Sequence, residues 1–313
     1  MWTRLLCAAL VCWLFADSTA LAQLRQRTTM MIVPLSAGTG LDVLARALGE
    51  RLAERMGTPF VVENRSGASS HLGSQHVATA PPDGHTLLVT TGIIFSEPAM
   101  NDRPQPKFEP VILLASGQNG MVVGPRTTAK SVKEIEAIAR ENPGKLFYSA
   151  AGNGSVHTIA MELFKYLTKT DIARVPFKSS TEALNYVVFG QVDMMTVPVA
   201  ASSSLVQGGQ LRMLATLSDR RAQLFPDVPT IVEVGYPEMS YDSQYYLFAP
   251  LGTPANIVER LNKEANAIIQ EPTFQPILAK LGLRPEGGTP AQLAGVIGAE
   301  QDRLQKLVKQ SRK

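Results

Sequence analysis

The sequence predicts an α/β protein built as two lobes, and three observations lead to that prediction. Apolar runs of strand length alternate with segments of helical periodicity along most of the chain. Two loops rich in small residues, at 34–42 and 149–157, lie about 115 residues apart. Each loop follows a short apolar run and precedes a segment with the apolar spacing of a helix. One such unit in each half of the chain predicts two lobes of similar architecture.

The first 22 residues predict a secretory leader that is not part of the fold. Arg4 supplies a positive charge, and residues 5–15 form an apolar run too short to span a bilayer. Ala20-Leu21-Ala22 matches a cleavage site, so we expect an exported protein cleaved after Ala22. An uncleaved membrane anchor is the alternative, but no stop-transfer pattern follows the apolar run.

Composition excludes several classes of protein. Both cysteines, Cys7 and Cys12, fall in the leader, so the mature chain has no disulfide, cysteine nucleophile or cysteine-type zinc site. The chain is long enough to bury the core of two α/β lobes without disulfides. The net charge of +3 is mild and lacks the clustering of a nucleic-acid binder. No later segment approaches 18 uninterrupted apolar residues, which predicts no membrane span in the mature chain.

The first half of the chain reads as a βαβαβ unit. Gly57 and Pro59 end its long amphipathic helix, since glycine suits the position after a helix and proline cannot continue one. This order predicts a parallel sheet with right-handed crossovers, whose ligands bind beyond the carboxyl ends of the strands. The strands are expected at 29–34, 60–63 and 86–90, and the helices at 42–56 and 73–80.

The second half repeats the alternation between two crossings. Apolar runs at 111–114 and 121–123 predict the first crossing between lobes, and 243–250 predicts the return. Ser131 is a candidate N-cap, with Glu134 completing a capping box. Strands are expected at 145–149, 173–176, 192–197 and 211–217, and helices at 132–141, 159–167, 181–189, 255–270 and 290–309. Residues 202–204 are expected in a helix beside the rim of the second lobe.

The two loops carry the functional prediction. A strand, a small-residue turn and a helix start form an anion cradle, because free N–H groups and the helix dipole face the turn. Two cradles predict two lobes that close on one negatively charged ligand, although each loop is open to the alternative of a simple tight turn. The candidate ligand-binding residues are Ser36, Ala37, Gly38, Thr39, Gly40 and Asp42 in the first loop, Ser149, Ala151, Gly152, Asn153, Gly154, Ser155 and His157 in the second, and Ser69, Ser70 and Thr91 on the same rim.

Three charged or titratable candidates have structural alternatives. Asp42 is favoured as a helix cap or loop brace, since its carboxylate would repel an anionic ligand. His157 either donates to the ligand or makes a structural hydrogen bond at the start of its helix. Lys178 is the only cation that the sequence places near the cleft from the second lobe, and a solvated lysine is its alternative.

Catalytic constellations are missing from the sequence. No Gly-x-Ser-x-Gly elbow occurs, and Gly38-Thr39-Gly40 lacks the full dinucleotide fingerprint. His71 and His76 are five residues apart, whereas paired metal ligands on a helix are spaced by four. We therefore expect no enzymatic activity, no cofactor and no metal. A hydrolase or isomerase that uses Asp42 and His157 is the alternative from the enzyme class.

Seven segments in order resemble a known family. They are PLSAGTGLD at 34–42, VENRSGA at 62–68, PDGHTL at 82–87, PGKLFYSAAGNGSVH at 143–157, VPFK at 175–178, PDVPT at 226–230 and APLGTP at 249–254. From about residue 31 to residue 300 the chain resembles the extracytoplasmic solute receptors of the tripartite tricarboxylate transporter system, often called Bug or TctC-type proteins.

The resemblance has departures that bear on specificity. The family usually has Gly-Gly at Gly38-Thr39, Gly-Ala-Gly-Gly at 67–70 and Tyr-Lys-Gly at 177–179, and Leu41 replaces a small polar residue. Many members also place an acidic residue, able to pair with a ligand amine, near the strand end at 196–198, where this chain has none. That difference argues for a plain carboxylate over an amino acid.

The resemblance implies a fold, a ligand and a partner. The fold is a type II periplasmic-binding-protein-like fold, with the first lobe at 23–118 plus 246–313 and the second at 119–245. The ligand is a small carboxylate held in the cleft by backbone N–H groups and ordered water, and the partners are the membrane permease subunits of the transporter. We expect a periplasmic monomer. Presentation of the ligand to a signalling partner is an alternative that the sequence leaves open.

Overall fold

A computed structural model describes residues 27–101, 103–152 and 155–311, with side chains up to residue 306. The expected leader and the candidates Asn153 and Gly154 lie outside the described residues. The described chain forms two mixed β-sheets, of six and five strands, with helices packed against both.

The first sheet has the strand order β11-β4-β10-β3-β1-β2. Strands β3, β1 and β2 form a parallel set. Strand β10 pairs antiparallel with β3 on one side and with β4 on the other, and β11 pairs antiparallel with β4 at the edge of the sheet. Its elements are β1 Thr29–Val33, α1 Gly40–Met56, β2 Phe60–Asn64, α2 His71–Ala78, β3 Thr86–Thr91, α3 Ile93–Met100, β4 Phe108–Gly117, β10 Ser243–Pro250, α8 Ala255–Ile269, α9 Gln275–Lys280, β11 Leu283–Gly287 and α10 Pro290–Ser311.

The second sheet has the order β7-β6-β8-β5-β9, in which β6 runs parallel to both of its neighbours. A short 3₁₀ turn at Pro237–Met239 lies on the way back to the first sheet. The elements of this sheet are β5 Asn119–Val123, α4 Val132–Glu141, β6 Leu146–Ala151, α5 Val156–Thr168, β7 Ile172–Phe177, α6 Ser180–Val188, β8 Met194–Pro198, α7 Val199–Gln207 and β9 Arg212–Thr216.

All predicted strands and helices are present, and their ends differ from the prediction by at most three residues. Two α-helices and one strand were not predicted. The helix α3 is mostly buried and contains Pro98, so its sequence lacks an amphipathic period. The helix α9 is only six residues long, and the edge strand β11 carries a proline and two charges in place of alternating apolar residues.

The two sheets are joined where the chain crosses between them. Only Gln118 separates β4 from β5, and the return passes through Tyr241 to Ser243 at the start of β10. The buried Asn119 side chain ties both crossings together. Its Nδ2 donates to Ser243 Oγ at 3.0 Å and to the carbonyl oxygen of Tyr241 at 3.3 Å.

The C-terminal helix α10 packs against elements of both sheets. Leu293 and Leu304 of α10 share an apolar cluster with Phe95 and Phe248 of the first sheet's side. Ile159, from α5 of the second sheet, joins the same cluster. Both sheets therefore bury apolar surface against one helix, which holds them together in addition to the crossings.

Candidate functional site

The first loop is built on a capped helix start. Thr39 is the N-cap of α1: its Oγ1 accepts from the N–H of Asp42 at 3.4 Å and donates to the carbonyl oxygen of Ser36 at 3.0 Å. Gly38 adopts φ +81°, a left-handed conformation that favours glycine. The N–H groups of Gly40 and Leu41, the first two of the helix, make no hydrogen bond to any described residue. They are free donors at the positive end of a 17-residue helix.

Asp42 holds this loop from below, in the bracing role that the sequence favoured. Its carboxylate accepts from the N–H of Gly38 at 2.9 Å, Asn64 Nδ2 at 3.0 Å and Arg46 Nε at 3.1 Å. Burial raises the pKa of Asp42, but the hydrogen bonds from Arg46, Gly38 and Asn64 outweigh it, so the pKa lies below its ordinary value. The N–H of Gly38 therefore donates to Asp42 and is not a free donor for a ligand.

The segment 67–70, between β2 and α2, has four successive residues with positive φ. Three of them are not glycine: Ala68 at 46°, Ser69 at 52° and Ser70 at 75°. Such residues cost on the order of 1 kcal/mol each and are typical of functional sites. Ser70 is 2% exposed, and its Oγ has no hydrogen-bond partner among the described residues.

The second loop repeats the capping arrangement of the first. Ser155 is the N-cap of α5, and its Oγ accepts from the N–H of Thr158 at 3.2 Å. The N–H groups of Val156 and His157, like those of Gly40 and Leu41, make no hydrogen bond to any described residue. Each loop thus has an N-cap hydroxyl that accepts from the third N–H of its helix, and no described residue accepts from the first two N–H groups.

The second loop meets the 67–70 segment of the first sheet. Gly152 follows β6 with φ +72°, and a β-carbon at this residue would lie 3.2 Å from Ser69 Oγ. The 67–70 segment is in turn tied to the first loop. Gly73, in α2, lies so close to the strand end that a β-carbon there would come within 2.8 Å of the Pro34 side chain. Candidates from both halves of the sequence are therefore brought to one place.

Three of the remaining candidates have other surroundings. Ser149 is 1% exposed, and its Oγ donates to the carbonyl oxygen of Ala183 at 3.1 Å, which is a contact of the core. Lys178 is exposed and makes no hydrogen bond or ion pair with any other described residue. Thr91 ends β3 opposite Tyr245 of β10 and is half-buried.

His157 is a neutral group at the start of α5. Burial lowers the pKa of His157 to about 4, so the imidazole carries no charge at neutral pH. Its carbonyl oxygen accepts from Thr196 Oγ1 at 3.0 Å, which fixes the first turn of α5 to the end of β8. The side chain is half-buried and is available as a neutral donor or acceptor.

A cation that was not predicted from the sequence contacts the second loop. Arg174 Nη2 donates to the carbonyl oxygen of Gly152 at 2.9 Å, whereas Lys178, the expected cation, points to no described partner. Arg174 lies in β7, paired in register with Tyr148 of β6, the strand that leads into the loop. A single charge inside the otherwise apolar run 172–177 was the signal that could have identified it.

The two sheets, the crossing strands and the paired helix N-termini define a two-lobed solute-binding protein of the periplasmic type. The described residues include no helix that is both long and apolar enough to cross a membrane.

The chain belongs to the family described as "Tripartite tricarboxylate transporter family receptor", whose model matches residues 44–312. Members of this family are periplasmic solute-binding receptors, not enzymes. The resemblance stated from the sequence and the predicted fold class are both confirmed.

Individual relatives agree with this assignment. The chain is 36% identical over 288 residues to the UPF0065 protein in the tcbD-tcbE intergenic region of Pseudomonas sp. strain P51, covering 90% of this chain and 85% of that one. The structure of Rpa4515 of R. palustris with adipate matches with a TM-score of 0.81 and 33% identity, covering 91% and 97% of the two chains. MatC of Rhodopseudomonas palustris, with bound malate, matches with a TM-score of 0.80 and 30% identity, covering 90% and 99%.

Proposed function

We propose that this protein binds a small carboxylate between its two lobes in the periplasm and delivers it to the permease subunits of a tripartite tricarboxylate-type transporter. The observation that carries the proposal is the repeated capping pattern. In each lobe the N-cap hydroxyl accepts from the third N–H of a helix, and the first two N–H groups have no hydrogen-bond partner among the described residues. A β-carbon on Gly152 would lie 3.2 Å from Ser69 Oγ, and this proximity supports one cleft between the two helix starts.

The chemistry of the cleft suits an anion. Free N–H groups at a helix N-terminus bind a carboxylate through charge-assisted hydrogen bonds, worth roughly 1.5–3 kcal/mol each. In the first lobe the donors are Gly40 and Leu41, and in the second they are Val156 and His157. Several such bonds give an affinity near or below the micromolar range, about −8 kcal/mol, once the cost of ordering is subtracted.

Two solved relatives support a carboxylate as the ligand class. Rpa4515 was solved with adipate and MatC with malate, and both are dicarboxylates. We propose the same class for this chain. We also propose that the ligand is contacted by the candidate residues of the two loops, by the 67–70 segment and by Thr91.

The binding experiment uses the mature chain, residues 23–313. Adipate, malate and aspartate are tested separately by thermal shift and isothermal titration calorimetry. A rise in melting temperature with adipate or malate, with recovery of the unchanged compound after hours, supports a receptor without turnover. Absence of binding by any small mono- or dicarboxylate contradicts the proposal, and formation of a product supports the enzyme alternative.

The location and the partner are tested in the cell. We propose that the leader is removed after Ala22, that the protein is monomeric, and that its lobes comprise 23–118 plus 246–313 and 119–245. Mass spectrometry of the periplasmic fraction should give an N-terminus at Gln23. Deletion of the gene should slow uptake of the bound carboxylate, and a full-length N-terminus on most of the protein would contradict export with cleavage.

A further inference from the structure

The carbonyl group of Gly152 is held by two donors from different elements. Arg174 Nη2, from β7, and Thr158 Oγ1, from α5, each donate to its oxygen at 2.9 Å. Thr158 Oγ1 also lies 3.0 Å from Ser155 Oγ, the N-cap of α5. The backbone oxygen at the start of the second loop is therefore fixed from both sides, once by a charged group.

This peptide needs such a restraint. Gly152 has φ +72°, and glycine passes between left- and right-handed conformations at little cost. A free peptide at this position could turn its carbonyl oxygen, which carries partial negative charge, toward an anionic ligand. Bonds from a guanidinium and a hydroxyl keep the oxygen on the side of Arg174 and Thr158.

The same residue lies where the second loop approaches the 67–70 segment. A β-carbon on Gly152 would lie 3.2 Å from Ser69 Oγ, so we expect a change in the backbone here to alter where the second loop meets the first lobe. Arg174 is half-buried, and its Nη2 contacts the loop at the Gly152 carbonyl oxygen.

We propose that Arg174 is a positioning residue for ligand binding: with Thr158 it holds the Gly152 carbonyl and presets the second loop in its binding conformation. This inference rests on the proposed function, because it assigns the loop to the ligand cleft. Arg174 acts through Gly152, and its charge also makes the second lobe's side of the cleft more favourable for an anion.

A matched control is available in the same sheet. Arg212, in β9, donates from Nη1 to the carbonyl oxygen of Ala129 at 2.8 Å, a contact of the same type away from both loops. Arg174→Met and Arg212→Met each remove a bond from a guanidinium to a backbone carbonyl oxygen. If Arg174 had only a structural role, the two variants would behave alike.

The first test needs no ligand. Hydrogen exchange is measured by mass spectrometry on the mature protein and on the two variants. Arg174→Met should speed exchange in the peptide that spans the second loop at least several-fold, while Arg212→Met leaves that peptide unchanged. Equal exchange of the loop in the wild type and Arg174→Met overturns the inference, whether or not the protein binds carboxylates.

The second test measures the dissociation constants for adipate and malate. Arg174→Met should weaken whichever compound the wild type binds by about tenfold or more, and Arg174→Lys should restore part of the loss. Thr158→Val should weaken binding less. The double variant should lose less than the sum of the single effects, because both donors act on one carbonyl.

The two proposals fail in different ways. If the wild type binds neither these compounds nor any other small carboxylate, the proposed function fails, and the hydrogen-exchange test alone decides the role of Arg174. If the wild type binds and Arg174→Met binds equally well, the proposed function stands and the positioning role is overturned.

Discussion

Gly152 of the second lobe faces Ser69 of the first so closely that a β-carbon on Gly152 would lie 3.2 Å from Ser69 Oγ. This distance is tighter than an ordinary van der Waals contact, so a side chain at residue 152 would press on the Ser69 hydroxyl. The contact joins a loop that follows β6 to a strained turn that follows β2.

Gly152→Ala should therefore weaken ligand binding more than it weakens the fold. The left-handed φ of +72° costs an alanine on the order of 1 kcal/mol, and the added methyl also pushes against Ser69. Gly209→Ala is the matched control, since Gly209 has the same φ and open space around its β-position. Both variants should lose similar stability in urea unfolding. Calorimetry should show weaker carboxylate binding in Gly152→Ala alone, and equal affinities would show that closure does not depend on this contact.

Asp42→Asn should lower the stability of the protein and change its pH dependence. The folded-state pKa of Asp42 lies below its ordinary value, so the carboxylate stabilises the fold above the unfolded pKa. That contribution is lost as the pH falls through the folded pKa, in the acid range below about 4. The loss at pH 7 should be on the order of 1–2 kcal/mol.

Urea unfolding at pH 7 and pH 3 measures the effect of Asp42→Asn, and the difference from the wild type should shrink at the lower pH. Glu54→Gln, which removes an exposed partner of Arg51, is the control and should change little. Tighter carboxylate binding by Asp42→Asn without loss of stability would mean that Asp42 repels the ligand instead of bracing the loop.

Periodicity and turn residues were sufficient to predict most of the fold. The spacing of apolar residues in α1 and the Gly57 stop gave that helix to within two residues. The edge strand β11 escaped prediction, because its antiparallel pairing with β4 comes from contacts between residues about 170 positions apart. No local pattern in LRPEG indicates such a partner.

The candidate site was predictable in part. Glycine, serine and threonine between a strand and a helix indicated both loops, since that pattern follows from capping and free N–H groups. The use of individual side chains was not predictable. Ser149 points to α6, and Arg174 reaches the second loop from a neighbouring strand, because both outcomes depend on how β6 and β7 pair.

His157 should make the protein less stable at mildly acidic pH. Its folded pKa of about 4 lies below the ordinary value, so between about pH 6.5 and pH 4 the unfolded chain takes up a proton that the folded protein does not. Stability is therefore full above about pH 6.5 and falls as the pH drops through this window, by on the order of 1–3 kcal/mol.

The comparison of melting temperatures at pH 7 and pH 4.5 tests His157. His157→Gln should show a smaller drop between the two pH values than the wild type, whereas the control His76→Gln on α2 should behave as the wild type. A drop of the same size in His157→Gln would show that burial of this imidazole does not set the acid sensitivity.

Ser70→Ala tests whether the buried hydroxyl of the 67–70 segment is reserved for the ligand. A buried hydroxyl without a partner does not stabilise the fold, so its removal should leave the ligand-free stability unchanged or raise it by up to about 1 kcal/mol. Carboxylate affinity should fall severalfold. Ser74→Ala removes another buried, unpartnered hydroxyl one turn further along α2 and is the control. Equal affinities of the two variants would exclude Ser70 from the site.

Gly40→Pro tests the free N–H groups directly. Gly40 is the first residue of α1, a position that proline favours, and Thr39 before it has φ −72° and ψ 159°, which proline accepts in its predecessor. Its nearest neighbour, Leu281 Cδ2, is 3.7 Å from the β-position, which leaves room for a β-carbon. The substitution thus removes an N–H that no described residue uses. Gly40→Ala, which keeps the N–H, is the matched control.

The melting temperature of Gly40→Pro should equal or exceed that of the wild type, because proline restricts the unfolded chain. Its carboxylate affinity should fall by about tenfold or more, the value of one charge-assisted hydrogen bond, while Gly40→Ala binds within about twofold of the wild type. Val156→Pro makes the same change in the second lobe, after Ser155 at φ −69° and ψ 146°. Loss of affinity in both proline variants would show that both helix starts hold the ligand. Undiminished affinity in a stably folded Gly40→Pro would mean that the start of α1 is not the carboxylate site.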